Sequence, residues 1–135
     1  LSRRNISSGG PWEAVAGYSR AVRVGQHVHV AGTTAMTAEG LVGDGDAYAQ
    51  ARQALATIDG ALREAGAALH HVVRTRMYVT DMAHAEAVMR AHGEIFAEIR
   101  PAATLVAVSR LVDDRLLVEI EADAMIGDGP GGPLS

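Results

Sequence analysis

The 135-residue sequence contains no cysteine. Disulfides, thiolate catalysis and Cys-ligated zinc are thereby excluded. Lysine is missing too, so all twelve side-chain cations are arginine. Neither a lysine Schiff base nor a P-loop lysine can exist. Aromatic residues make up only 4%, so a core must be built from Val, Leu, Ile, Ala and Met. No apolar run approaches the roughly 18 residues of a membrane span, and LSRRNISSGG has no apolar signal core. No membrane partner and a cytoplasmic location are the expectation. A net charge of -4 does not suit a dedicated nucleic-acid binder, and a nucleic-acid partner is not expected.

What is present fits one compact domain. Residues 1–14 read as an N-terminal arm, polar up to Gly9-Gly10-Pro11, and 15–126 as the domain. Breaker-rich 127–135 reads as a flexible tail. Ser19–Val24 and His27–Thr34 are β-rich runs around Gly25-Gln26, a hairpin signal with Gly first that suits a type II′ turn. A glycine-rich loop over Thr37–Gly45 precedes helical periodicity over Asp46–Ala65. Ala47, Ala51, Ala54, Leu55, Ile58, Leu62 and Ala65 share one helix face, and Gln50 falls largely elsewhere. Asp44 or Asp46 can cap this helix and Gly66 can end it.

His71–Thr80 alternates as a strand. Asp81–Ile99 is a second helix, with Met82, Ala85, Val88, Met89, His92, Phe96 and Ile99 along its inner face and Pro101 stopping it. Ala103–Leu111 and Arg115–Ile126 are further strands. The order β-β-α-β-α-β-β defines an α+β fold with helices packed on one sheet face. The other face collects Arg74, Arg76 and Tyr78, joined by Glu119, Glu121 and Asp123, by His27 and His29, and by Val72, Arg115 and Leu117. Arginine and aromatic residues among apolar ones are what interfaces favour, so self-association through this face is expected.

Few local motifs carry chemistry. His27-x-His29 could present two imidazoles to a metal, but no acid lies near them in sequence and no metal site is assigned. Asp44-Gly45-Asp46 lacks the later ligands of a calcium loop and reads as a turn plus helix cap. Gly40–Gly45 lacks dinucleotide-fingerprint spacing, and G-x-S-x-G is absent, so no cofactor is expected. His92 reads as a satisfied semi-buried residue. The column Glu119, Glu121, Asp123 could contain a carboxylate with a raised pKa able to act on water. Ion pairing with Arg74, Arg76 or Arg115 is the simpler reading from spacing.

Five stretches together resemble the RidA/YjgF/L-PSP group. They are Gly17-Tyr18-Ser19-Arg20-Ala21-Val22 into His29-Val30-Ala31-Gly32, then Tyr78-Val79-Thr80-Asp81-Met82, Arg100-Pro101-Ala102-Ala103-Thr104 and Val118-Glu119-Ile120-Glu121-Ala122. The resemblance covers about residues 15–126. It implies a chorismate-mutase-like fold and a homotrimer with a small-molecule ligand in each intersubunit cleft. It also implies hydrolysis of reactive enamines or imines to keto acids and ammonia. Glu119 matches the water-orienting glutamate and Tyr18 the pocket tyrosine. Ala103 stands where the deaminases carry their carboxylate-anchoring arginine, beside Thr104. Met89 and His92 stand where they tend to have Asn and Tyr. Arg100, Arg74 or Arg76 could supply a substitute cation, and Thr33 and Thr34 could offer hydroxyls. Two other functions follow from the resemblance: a non-catalytic binding or regulatory trimer, and an L-PSP-type endoribonuclease.

Overall fold

The computed structural model describes residues 2–127; the expected tail therefore lies, from residue 128 onward, outside the described residues. Five strands and two helices fall where the sequence periodicity puts them, with shorter bounds. They are β2 (Ala21–Val24), β3 (His27–Thr33), α2 (Ala47–Glu64), β6 (Val72–Val79), α3 (Ala85–Phe96), β7 (Ala102–Ala107) and β8 (Val118–Met125). The segment read as an arm instead forms β1 (Arg3–Ile6), paired with β2, and the short helix α1 (Pro11–Ala16). Its polar side chains hid the strand, because an edge strand needs only backbone partners. The glycine-rich loop closes as a small hairpin of β4 (Met36–Thr37) and β5 (Gly40–Leu41).

The main sheet has the order β1-β2-β3-β8-β6-β7. Only β6 and β7 run parallel, across the α3 crossover. β8 enters between β3 and β6, antiparallel to both, so the last strand occupies the centre of the sheet. At the β2–β3 hairpin Gly25 has φ 58° and Gln26 keeps a negative φ, the pattern of a type II′ turn.

The helices cover one face. The α2 stripe from Ala47 to Ala65 is buried as its spacing predicts, and Leu55, Ile58 and Leu62 meet Val28, Val30, Val118 and Ile120 in the core. Asp46 caps this helix, accepting from the Ala49 amide at 3.0 Å, so Asp44-Gly45-Asp46 is a turn and a cap. Gln50 departs from expectation and is fully buried. Its amide donates to the Gly43 and Arg115 carbonyls at 3.1 and 3.0 Å, and its carbonyl accepts from the Leu117 amide at 2.9 Å. It ties the turn before β8 to the helix.

The second helix also differs. A 3₁₀ turn over Met82–His84, capped by Asp81, precedes α3, and the packed stripe is Ala85, Val88, Ala91 and Phe96. Met82 and Met89, expected inside, are exposed. In β6 a register shift between Val72 and Arg74 turns Val72 into the core, away from the charged face where alternation put it. Arg115 and Leu117 precede β8: Arg115 pairs with Asp113 at 2.9 Å, and Leu117 packs partly against the core.

Candidate active site

The uncovered sheet face carries the charges. Val118, Ile120, Ala122 and Ala124 of β8 are buried beneath the helices, so Glu119, Glu121 and Asp123 project from the opposite side. The three carboxylates have different surroundings. Asp123 meets His29 Nδ1 at 2.8 Å and accepts from the Arg76 guanidinium at 3.0 Å. Burial pushes its pKa upward, but these two partners outweigh burial and hold the carboxyl below its ordinary range. Glu121 accepts from Arg76 at 3.4 Å and from the Tyr78 hydroxyl at 3.0 Å. Burial first, and the Glu121 bond next, raise the Tyr78 pKa.

Glu119 accepts no hydrogen bond and joins no ion pair among the described residues. It is half-buried, and burial pushes its pKa up, opposed by the charge of Arg20 and assisted by that of Glu121. Ion pairing thus accounts for two of the three carboxylates and leaves the third free.

The seat of Glu119 is built by backbone. Between Val30 and Thr33 the β3–β8 register shifts, and Gly32 lies in that irregularity. A Cβ at Gly32 would overlap the Glu119 carboxylate. Arg20 donates to the Gly32 carbonyl at 2.6 Å and holds the irregular segment in place. Neither Gly32 nor Arg20 stands out from residue type alone. The only sequence signal is a glycine inside an otherwise continuous strand pattern.

The remaining candidates divide into two groups. Tyr18, 43% exposed, lines an open concavity of about 650 Å³ on the charged face, with Arg76, Glu121, Asp123 and His29. Ala103 is paired with buried Thr75, so it faces the helix side of the sheet. Thr75 Oγ1 lies 2.8 Å from His92 Nε2, and the His92 ring packs against Phe96 with centroids 4.6 Å apart. Burial lowers the His92 pKa. His92 is thus a satisfied, half-buried residue that also borders a cavity near the end of α3. Met89 is exposed on α3. Thr104 lies on the charged side, 3.3 Å from Arg74. Thr33 donates to the Ala31 carbonyl and Thr34 accepts from the Met36 amide, so both hydroxyls are engaged locally.

Glu119 and Ala103 do not meet within one chain. Glu119 is level with Tyr78, and Tyr78 with Val106, three residues beyond Ala103. Strand spacing and rise then separate them by roughly 14 Å, on opposite faces. His27 and His29 stack in parallel at 6.5 Å, and among the described residues no three His, Asp or Glu side chains converge on a point suited to a metal.

Fold and site together define a class: a two-layer α+β domain with one sheet face under helices and the other charged, on which, among the described residues, Glu119 is the unpaired member of the β8 carboxylate column and is seated over Gly32. The chain belongs to the family described as Endoribonuclease L-PSP, whose model matches residues 11–126. Its structure is similar to that of a Mycobacterium tuberculosis member of the YjgF/YER057c/UK114 family. The two share 50% identity with a TM-score of 0.86, over 93% of this chain and 100% of that one. An uncharacterised Streptomyces coelicolor protein is 42% identical over 124 residues, 92% of each chain. A RutC family protein of Pyrococcus abyssi is 37% identical over 79% of this chain and 84% of its own.

Proposed function

We propose that the protein is a cytoplasmic homotrimer that hydrolyses a small imine or enamine in a cleft between subunits. The observation that carries this reading is Glu119, which alone among its neighbouring carboxylates has no partner and a raised pKa. An ionised carboxylate in that state can accept a proton from water as the water attacks the imine carbon. Protonated Glu119 then returns that proton to nitrogen, the hydroxyl proton of the tetrahedral adduct follows, and breaking of the C–N bond releases ammonia and a carbonyl compound. The separation of Glu119 from Ala103, Met89 and His92 within one chain favours assembly. A second copy, packed edge to face, is the way to bring the two groups together. The exposed apolar strand β7 offers such an edge.

The test is formation of carbonyl product and ammonia from an imine generated in situ by an amino-acid oxidase. Turnover above buffer that falls ~10²–10³-fold in Glu119→Gln supports the reading. Rates equal to buffer for every imine tried reject it. A non-catalytic binding trimer is the second reading, favoured by alanine at position 103. A ligand that shifts the melting temperature without being turned over would select it. Ribonuclease action finds less support, because Arg76 on the charged face is already engaged by Glu121 and Asp123.

A further inference from the structure

Arg20 stands immediately before β2, and its backbone is fixed on both sides. Its amide donates to the Ile6 carbonyl of β1 at 2.9 Å, and its carbonyl accepts from the Ala31 amide of β3 at 3.0 Å. From this anchored position the side chain crosses to Gly32, where Nη2 donates to the carbonyl at 2.6 Å. Gly32 is also the residue over which Glu119 lies, since a Cβ there would meet the carboxylate. One glycine thus has a guanidinium on its carbonyl and a carboxylate against the open side of its Cα.

Neither charge is neutralised by contact. Among the described residues no carboxylate lies within ion-pair distance of the Arg20 guanidinium. Its Nε is buried without a hydrogen-bond partner, which is uncommon in native structures. The groups around Glu119 are few. Tyr78 lies across from it on β6 and donates to Glu121, which follows on β8. Arg76, further along β6, is held by Glu121 and Asp123. The β3 side offers Ala31 and Gly32, which carry no charge. Arg20 is the cation in this surround that no carboxylate engages, and its charge opposes the upward push that burial and Glu121 exert on the Glu119 pKa.

We infer that Arg20 is a positioning residue for Glu119: one arm of its guanidinium holds the glycine seat in place, and its unpaired charge keeps the carboxylate ionised for its work on water. The inference rests on the proposed function for that last step, but the coupling between the two side chains is measurable without turnover. Direct contact would defeat the arrangement. A guanidinium forked on Glu119 would occupy the oxygens that water must reach, as His29 and Arg76 occupy those of Asp123. A charge held off by Gly32 favours the ionised state and leaves both oxygens unoccupied. A neutral donor that kept the bond to Gly32 would preserve the seat and lose this effect.

The test follows the Glu119 carboxyl carbon by NMR through a pH titration of the intact protein, its signal assigned by its loss in Glu119→Gln. Replacement of Arg20 by citrulline keeps the shape and the donor to Gly32 and removes the charge. The titration midpoint of Glu119 should then move to higher pH. In Arg20→Lys, which keeps the charge, it should stay closer to the original. Where imine hydrolysis is measured, the acid limb of kcat/KM should move with the NMR midpoint. The citrulline protein should be slower there by about threefold or more, with the rate recovering at higher pH. A midpoint that citrulline leaves unmoved or displaces downward overturns the inference. So does equal displacement by citrulline and by Arg20→Lys, which would make the role one of shape alone. The hydrolase reading is scored separately. A moved midpoint without imine turnover upholds the coupling and removes the enzyme. Turnover whose acid limb ignores citrulline keeps the enzyme and removes Arg20 from its machinery.

Discussion

Glu119 concentrates the functional argument at the residue scale. Its folded-state pKa is raised, so the protonated form is favoured by folding. The associated stabilisation is complete below the ordinary carboxyl pKa of 4.5 and is lost as pH rises through the folded value. At neutral pH the ionised side chain therefore opposes folding. Glu119→Gln removes that charge at constant shape, and the melting temperature at pH 7 should rise by about a degree or two. A lower melting temperature would mean that the charge is stabilising there. Imine hydrolysis should lose activity on the acid side with an apparent pKa above 4.5, measurable from a pH–rate profile. Ala103→Arg tests the proposed intersubunit cleft from the β7 side. It should raise turnover of carboxylate-bearing imines and leave uncharged imines unaffected, as a side-by-side rate comparison would show.

Two elements carry the architecture toward the site. The turn before β8 hangs on Gln50, which serves two carbonyls and one amide. Gln50→Leu keeps the volume but strands these groups, which should cost about 2–4 kcal/mol and lower the melting temperature by roughly 10 °C. Calorimetry reads this directly, and a change below a degree or two would show that water replaces the lost bonds. Strand β7 is the other element. It closes one edge of the sheet with largely exposed Ala, Thr and Val side chains, Val106 among them at 43%. An uncovered apolar edge invites pairing. Val106→Lys should leave the chain folded and shift it toward monomers in light scattering. A trimer of unchanged strength would place the assembly contact elsewhere.

The response of the whole molecule to acid combines several groups. Burial lowers the pKa values of His71 and His92, so folding favours their neutral forms. Each contributes stability that is complete above the ordinary histidine value of 6.5 and is lost as pH falls through the lowered values. The melting temperature should therefore drop as the pH is taken below 6.5. The drop should shrink in His92→Asn, with Glu119 working in the opposite direction at lower pH. No helix among the described residues is long and apolar enough to cross a membrane. The charged sheet face and the edge at β7 are the surfaces on which the proposed assembly depends.

Periodicity alone determined the order of five strands and two helices, and it separated an apolar sheet face from one bearing Glu119, Glu121 and Asp123. Both depend on local geometry, because side-chain alternation and the helical repeat are written along the chain. The residues Gly17–Val22 and Arg100–Thr104, among others, carried the family likeness. Tertiary structure decided what alternation could not. A register shift turned Val72 inward, Gln50 found partners some 65 residues away, and polar Arg3–Ile6 joined the sheet. It also decided which carboxylate is free. Equal spacing made Glu119, Glu121 and Asp123 alike in sequence, whereas Arg76, Tyr78 and His29 arrive from other strands and satisfy only two of them. Pairing of that kind is fixed by register between distant segments, which no single stretch of chain encodes.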